Sequence, residues 1–252
     1  MQSRPRAFDY GIESLRRLFA ASNMGARLRL DKTLFLCYIT IMIIGITGLI
    51  GSGKDTAADY LCTFHGFKRM SFAGTLKDAV AVIFNWDREL LEGSTKASRE
   101  WREEVDTWWA ERLGIPNLTP RWVLQQWGTD VARKSFHNDI WVASVENRLQ
   151  GIKDDIVITD CRFGNEVAAI KNAGGITLRT HRGEDPDWLV IAELHNEADN
   201  DKDKTYLKDL LEQNHNVHAS EYSSVGLDYD YHIDNNGMID HLHKQMESII
   251  NR

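Results

Sequence analysis

Residues 42–56, which read MIIGITGLIGSGKDT, constrain the fold of this chain more than any other stretch. The run begins with branched apolar residues, which suit a strand buried on both faces. Gly48, Gly51, Gly53 and Lys54 follow. The next apolar residues recur at the spacing of one helical face, namely Ala57, Ala58, Leu61, Cys62 and Phe64. Glycines let backbone N–H groups turn toward a phosphate, while the lysine and the helix N-terminus supply positive charge. The pattern predicts a phosphate-binding loop (P-loop) between a strand and a helix. The alternative is a tight strand-to-helix turn that ends in lysine by coincidence.

Asp55 departs from the usual pattern, which has Ser or Thr at this place to ligate Mg²⁺. A carboxylate can also hold Mg²⁺, directly or through water, and Thr56 offers a hydroxyl one residue later. Alternatively, Asp55 caps the helix by accepting bonds from its first-turn N–H groups, which leaves Thr56 to reach the metal. We favour a Mg²⁺ site that uses both residues, although the sequence leaves the ligation open.

The composition narrows the class of protein. A chain of 252 residues can form one domain with insertions, and its net charge of −7 argues against broad binding of nucleic acid or anionic membranes. No segment approaches the roughly 18 consecutive apolar residues that cross a bilayer. Three widely spaced cysteines (Cys37, Cys62 and Cys161) suit a reducing compartment. We therefore expect a cytoplasmic protein with no nucleic-acid or membrane partner, in which Cys161 is a buried bystander rather than a reactive thiol.

The first 41 residues differ in charge from the rest. They hold seven basic and three acidic residues, a balance of +4, which leaves −11 for residues 42–252. We expect residues 1–41 to be a basic extension that is disordered or not native, with Met42 as the true start. A targeting peptide or a membrane-surface helix is the alternative, which the acidic residues weaken.

Strand and helix patterns alternate through the remaining chain, which predicts an α/β fold with an open parallel sheet of about five strands flanked by helices. Residues 86–151 are helical and hold seven of the eight tryptophans with interleaved arginines, a mixture that can stack a base and clamp a phosphate. The spacing predicts one helical face that contains Trp101, Val105, Trp108, Trp109 and Arg112. Most of the tryptophans are expected in the core, with one or two lining a site. Residues 184–227 are polar and acidic, which predicts an exposed insertion or a mobile lid. Further strands are expected at residues 66–72, 154–160, 176–180 and 229–234.

Several motifs together resemble the bacteriophage deoxynucleoside monophosphate kinases. They are GLIGSGKDT, TPRWVLQQWGTD, DIW and DCRFGNE, followed by HASE and IDNNG, and the resemblance covers residues 42–252. It implies a P-loop kinase domain with Mg·ATP as donor and a deoxynucleoside monophosphate as acceptor, and it makes residues 86–151 the acceptor-binding insertion. Trp122 and Gln125 depart from the charged residues expected in some relatives, which bears on the details of acceptor binding.

The resemblance also implies roles for particular residues. Ser52, Asp55 and Thr56 would lie at the ATP–Mg²⁺ site, and Arg121, Gly128, Thr129, Trp141 and Arg162 would bind the acceptor. Asp160, Arg162 and Glu166 would join Lys54 in catalysis. Physically, Arg162 can neutralise charge on the transferred phosphoryl group, while Asp160 orients Mg²⁺-bound water or Arg162 itself. The alternative for DCRFGNE is a strand-end cap with an Arg162–Glu166 pair one helical turn apart.

Two other functions stay open. One is a P-loop kinase of another phosphorylated metabolite, of the phosphomevalonate or dephospho-coenzyme A type. The other is a non-catalytic nucleotide-binding switch that uses the helical segment as a protein interface. The sequence also leaves the number of subunits open, with a homodimer as one option.

Overall fold

A five-stranded sheet forms the centre of the protein in the computed structural model, which describes residues 41–251. The expected basic extension lies outside this range, apart from Ile41. Every pair of neighbouring strands is parallel, which confirms the predicted fold class. The strands in spatial order are β2 (Lys68–Met70), β3 (Ile156–Ile158), β1 (Ile43–Thr47), β4 (Ile176–His181) and β5 (Tyr231–Asp234).

Strand β1 lies in the middle of the sheet and is buried along its whole length. Its residue Ile44 is opposite Val157 of β3 on one side and Ile176 of β4 on the other. Because all the strands are parallel, their carboxyl ends meet at one edge of the sheet, where ligands bind in this class of fold. The P-loop, which follows β1, is therefore brought beside the segments that follow β3, β4 and β5.

Helices cover both faces of the sheet. On one face, α1 (Lys54–His65) and the C-terminal helix pack on Ile44, Ile46 and Leu178. On the other face, Ile43 and Ile158 pack with apolar side chains of the helices next to β3. The helices up to β3 are α1, α2 (Gly74–Phe84), α3 (Arg88–Glu92), α4 (Lys96–Trp101), α5 (Thr107–Leu113), α6 (Pro120–Gln125) and α7 (Ile140–Leu149). Those after β3 are α8 (Gly164–Asn172), α9 (Leu189–Glu197), α10 (Asp201–Asp209), α11 (Ala219–Tyr222) and α12 (Ile239–Ile250).

Residues 86–151 contain helices α3 to α7 and no strand. An 11-residue π-helix, Gln126–Phe136, follows α6 directly. Six of the seven tryptophans here pack, partly buried, around a separate apolar cluster, whereas Trp108 is 61% exposed. The expectation that Trp101 and Trp108 share one helical face is wrong, because α4 ends at Trp101 and the Asp106 side chain caps a new helix by accepting from Trp109 N.

Residues 184–227 are more ordered in secondary structure than their polar composition suggests. They form α9, α10, a short π-helix (Leu210–Asn214) and α11. Side chains of α9, the π-helix and α11 share an apolar cluster of their own, while α10 buries none of its residues. Leu211 and Tyr222 are its largest fully buried side chains. Among the helices within residues 41–251, none combines the length and apolar character that a membrane span requires.

Candidate active site

The P-loop takes a conformation that depends on its glycines. Gly48, Gly51 and Gly53 have φ angles of 142°, 81° and 98°, which side chains of L-residues rarely tolerate. A Cβ atom on Gly48 would lie 2.4 Å from the carbonyl oxygen of Thr180, and one on Gly53 would lie 2.1 Å from Nδ2 of Asn235. At Gly48 and Gly53, a side chain is therefore excluded both by the backbone conformation and by the neighbouring atoms.

Two polar residues from the neighbouring strand ends hold this loop in place. Thr180, near the end of β4, donates its hydroxyl to the Thr47 carbonyl at 3.0 Å and lies 2.8 Å from the Ser52 hydroxyl. Asn235, just after β5, donates its side-chain amide to the Ser52 carbonyl at 3.0 Å. Ser52 is buried, so its hydroxyl faces the sheet edge and not solvent.

Lys54 lies folded back over the loop. Its Nζ donates to the carbonyl oxygens of Gly48 and Leu49 at 2.7 and 2.8 Å. The pKa of Lys54 is lowered to about 8, first by burial and then by the nearby positive charge of Arg162. The carboxylates of Asp55 and Glu221 act in the opposite direction. The ammonium group is therefore held at the mouth of the loop by two weak acceptors that a stronger acceptor can replace.

Asp55 and Thr56 lie at the exposed start of α1. The Asp55 carboxylate accepts from Arg69 at 3.0 Å and from the Thr159 hydroxyl at 3.2 Å. Gly53 is the N-cap of α1, and no side chain within the described residues caps the helix, so the capping alternative for Asp55 is wrong. Within residues 41–251, no three or more His, Cys, Asp or Glu side chains form a group that could hold a metal. A Mg²⁺ ion here would thus take one or two protein ligands and complete its shell with phosphate oxygens and water, which is how Mg²⁺ usually binds.

Asp160 fixes the loop that leads into α2. Its carboxylate accepts from the Ser71 hydroxyl at 2.7 Å and from the N–H groups of Phe72 and Ala73 at 3.0 and 2.9 Å. The end of β3 is thereby joined to the start of the helical half of the molecule.

Arg162 and Lys54 line one cleft at the sheet edge. Opposite them stand Ser220 and Glu221 of α11, within the segment predicted as a lid. The Arg162 guanidinium is 2.7 Å from the Glu221 carboxylate. The alternative Arg162–Glu166 side-chain pair is wrong, since Arg162 pairs with a residue 59 positions away.

Glu166 is buried and positions the backbone around Arg162. Its carboxylate accepts from the N–H groups of Arg162 and Phe163 at 2.7 and 3.1 Å, and it forms a buried ion pair with Arg133 of the first π-helix. Burial raises the pKa of Glu166 to about 7, against the lowering effect of the Arg133 charge. The Arg133 guanidinium also lies 4.0 Å from the centre of the Phe163 ring and donates to the Asn138 carbonyl at 3.1 Å.

The residues expected at the acceptor site lie on and around the first π-helix. Trp141 donates its Nε1 proton to the Gly128 carbonyl at 2.9 Å, and Gly128 and Thr129 are buried. A Cβ on Gly128 would lie 2.9 Å from a methyl group of Leu76 in α2. Arg121, at the start of α6, forms an ion pair with Glu103. π-Helical turns are rare and often occur at functional sites.

Comparison with known proteins identifies the family. The chain is 32% identical over 156 residues to a protein of Acanthamoeba polyphaga mimivirus named "Putative deoxynucleotide monophosphate kinase", an alignment that covers 56% of this chain and 75% of the viral protein. The chain belongs to the deoxynucleotide monophosphate kinase family. No protein-family model matches it.

Solved structures similar to this kinase have low sequence identity. Dephospho-CoA kinase from Campylobacter jejuni is 14% identical with a TM-score of 0.39, over 84% of this chain and 97% of that one. Shikimate kinase from Aquifex aeolicus is 12% identical with a TM-score of 0.36, over 83% and 96% of the two chains. At these scores the likenesses say nothing about the acceptor.

The kinase fold brings in several residues to which the sequence analysis assigned no role. Thr180 follows the pattern of polar residues at strand ends, and Asn235 and Glu221 lie in the IDNNG and HASE motifs, so a signal was present for all three. Arg133 gave no local signal, because its role depends on Glu166, which is 33 positions away. Cys161 is buried in this kinase and burial raises its pKa well above the usual value, which suits an unreactive thiol.

Proposed function

We propose that this kinase transfers the γ-phosphoryl group of Mg·ATP to a deoxynucleoside 5′-monophosphate, giving the diphosphate. The observation that carries the proposal is the shared cleft, which Lys54 of the P-loop and Arg162 from the end of β3 both line. The family relation supports a nucleotide as the acceptor.

Phosphoryl transfer needs positioning and charge stabilisation more than covalent chemistry. In this proposal the P-loop N–H groups and Lys54 bind the β- and γ-phosphates of the donor. Lys54 exchanges its two carbonyl acceptors for phosphate oxygens, which are stronger acceptors because they are charged. Arg162 likewise leaves Glu221 and stabilises the negative charge on the transferred group. Glu166 acts through the backbone of Arg162, and Asp160 acts through the loop before α2, so both are positioning residues in this scheme.

For the metal, we propose that Asp55 and Thr56 contribute to Mg²⁺ binding, supported by the exposed carboxylate and hydroxyl at the start of α1. The ion would neutralise charge between the β- and γ-phosphates. Asp55 would have to release Arg69 for direct ligation. The Asp55→Ala variant should raise the Mg²⁺ concentration that gives half-maximal turnover. If the Mg²⁺ requirement is unchanged, Asp55 does not contribute to Mg²⁺ binding and serves only as the ion-pair partner of Arg69.

For the acceptor, we propose a site formed by Arg121, Gly128, Thr129, Trp141 and Arg162. Preference for deoxyribose requires rejection of one added hydroxyl, and an apolar pocket does this only by roughly 10²-fold, through the cost of burying the hydroxyl unpaired. The hydrogen bond from Trp141 to Gly128 supports a crowding role for the indole, because it fixes the ring.

The deciding experiment is an acceptor screen with the four deoxynucleoside monophosphates, read as acceptor-dependent ADP release. We expect kcat/KM to favour dGMP over GMP, and dTMP over UMP, by about 10². The Trp141→Ala variant should reduce that ratio more than it lowers ATP affinity, whereas Trp108→Ala, at an exposed tryptophan of the same segment, should leave it unchanged.

The outcomes separate the alternatives. Equal use of ribo- and deoxynucleotides would exclude the deoxynucleotide assignment. A kinase of another phosphorylated metabolite would ignore all the nucleotides, and a non-catalytic switch would release no ADP with any acceptor. If Trp141→Ala keeps the same preference for deoxyribonucleotides over ribonucleotides, Trp141 does not determine that preference, and the kinase assignment stands.

A further inference from the structure

Arg102, which directly follows α4, has a charged side chain that no other described side chain neutralises directly. Its guanidinium donates no hydrogen bond and forms no ion pair to any residue in the range 41–251. The Nε atom is buried and has no acceptor among these residues. A buried donor without a partner is unfavourable, so native proteins retain one mainly where it serves a ligand or another function.

The local backbone fits this guanidinium closely. Gly93, at the end of α3, has a φ of 71°, and a Cβ atom there would lie 2.2 Å from Cζ of Arg102. The guanidinium therefore packs against the α-carbon of Gly93. A side chain on any other residue at position 93 would occupy the space of the guanidinium. The side chain is held in one orientation by packing and not by a carboxylate.

A second arginine lies beside it. The N–H of Arg121 donates to the Arg102 carbonyl at 2.9 Å, which places the start of α6 next to the end of α4. The side chain of Arg121 pairs with Glu103, the residue after Arg102. Glu103 is thus engaged by Arg121, and the Arg102 guanidinium beside it has no ion-pair partner within residues 41–251.

The charge of a third arginine also acts on Arg102. Burial and the charge of Arg121 lower the pKa of Arg102, and the charge of Arg162 lowers it less, whereas the carboxylates of Glu103 and Glu92 raise it. Arg162 also lines the P-loop cleft, so these arginines adjoin the place where the phosphoryl group would be transferred. Like charges held this close repel one another until an anion lies between them.

We propose that Arg102 binds the phosphate monoester of the acceptor together with Arg121 and Arg162. This inference rests on the proposed function and deepens it, because it requires an acceptor that already carries a phosphate group, as distinct from one that offers a hydroxyl alone. Arginine suits the role, since its planar fork donates two parallel bonds to a phosphate, which the single ammonium of lysine cannot do.

The experiment compares Arg102→Ala and Arg102→Lys with Arg112→Ala, a matched control at an exposed arginine on α5 of the same helical segment. Binding of dGMP and of deoxyguanosine, which lacks the phosphate, is measured by calorimetry, alongside KM for dGMP and for ATP. For Arg102→Ala we expect a roughly 10- to 100-fold loss in affinity for dGMP, the range given by one charged hydrogen-bonding group. Affinity for deoxyguanosine and KM for ATP should change less than about twofold, and Arg102→Lys should recover only part of the loss.

The outcomes distinguish this inference from the function on which it rests. If the wild type prefers dGMP to deoxyguanosine and the Arg102 variants keep that preference, the inference is overturned while the kinase proposal stands. If the wild type binds both compounds equally, both proposals fail. If Arg102→Ala does not fold, Arg102→Lys retains the charge and bulk and decides the question alone, through its dGMP affinity relative to Arg112→Ala.

Discussion

The two halves of the proposed active site are built in different ways. The P-loop half consists of backbone groups in fixed conformations, held by short hydrogen bonds from Thr180 and Asn235. The helical half consists of long charged side chains: Arg121 and Arg133 pair with carboxylates outside their own helices, and Arg102 has no partner within residues 41–251. The first half depends on shape and the second on the balance of charges. We therefore expect the P-loop half to fail through steric change and the helical half to fail through uncompensated charge.

The largest effect should come from a steric change in the P-loop half. In Gly53→Ala, the new methyl group would meet the Asn235 amide at 2.1 Å and would occupy a residue with a φ of 98°. We expect kcat/KM to fall by roughly 100-fold or more, since displacements of about 1 Å in a catalytic site have effects of that size. The control is Gly51→Ala, which also has positive φ but open space around its Cβ, and which should lose no more than about tenfold. Equal losses in the two variants would mean that backbone strain, and not the contact with Asn235, sets the requirement.

A charge change should have the largest effect in the helical half. Arg133→Met leaves the buried Glu166 carboxylate without its partner, which typically destabilises a protein by about 3–5 kcal/mol. Urea unfolding should show this loss. The control, Lys134→Met, breaks the exposed pair with Asp130 and should change the free energy of unfolding by less than about 1 kcal/mol. If Arg133→Met also cost less than 1 kcal/mol, the buried pair would not hold the helical half to α8.

A smaller effect is expected in the pH dependence of kcat/KM for ATP, because the P-loop half also depends on one charge, that of Lys54. The pKa of Lys54 is lowered to about 8, and only the protonated ammonium attracts phosphate. As pH rises through 8 the charge is lost, so kcat/KM for ATP should fall by about tenfold for each further pH unit. Lys54→Arg stays charged and should lack this alkaline limb, at lower overall activity. A wild-type profile that is flat up to pH 9.5 would contradict the lowered pKa.

The same division explains what the sequence could predict. The P-loop, its flanking strand and its helix follow from neighbouring residues, and the polar ends of β3 and β4 follow from the rule that ligands bind at the carboxyl ends of parallel strands. The long-range pairs could not be predicted this way. Arg133 and Glu166 are 33 positions apart, and Arg162 and Glu221 are 59 apart. Nothing near either arginine in the chain identifies its partner.

Helix α1 shows a smaller error with a clear physical cause. The spacing of apolar residues predicted Phe64 on its buried face, but Phe64 is 68% exposed. Tyr60 takes part in that face instead, because its ring packs with the core while its hydroxyl reaches Glu247 on α12 at 2.6 Å. A hydropathy pattern undervalues tyrosine at such positions, since it cannot foresee a partner for the hydroxyl.

The separate apolar cluster of residues 189–225 bears on how this protein can change over evolution. Leu211 and Tyr222 are buried within that segment and not in the sheet, while Leu49 of the P-loop packs against its edge. Substitutions in clusters that share no contacts add their free energies independently. Substitutions within this cluster should therefore affect the stability of the sheet little, whereas Leu49 and the Arg162–Glu221 pair are the points where variation in the segment would reach the catalytic site. Divergence among related enzymes should accumulate in this segment while the P-loop framework stays constant.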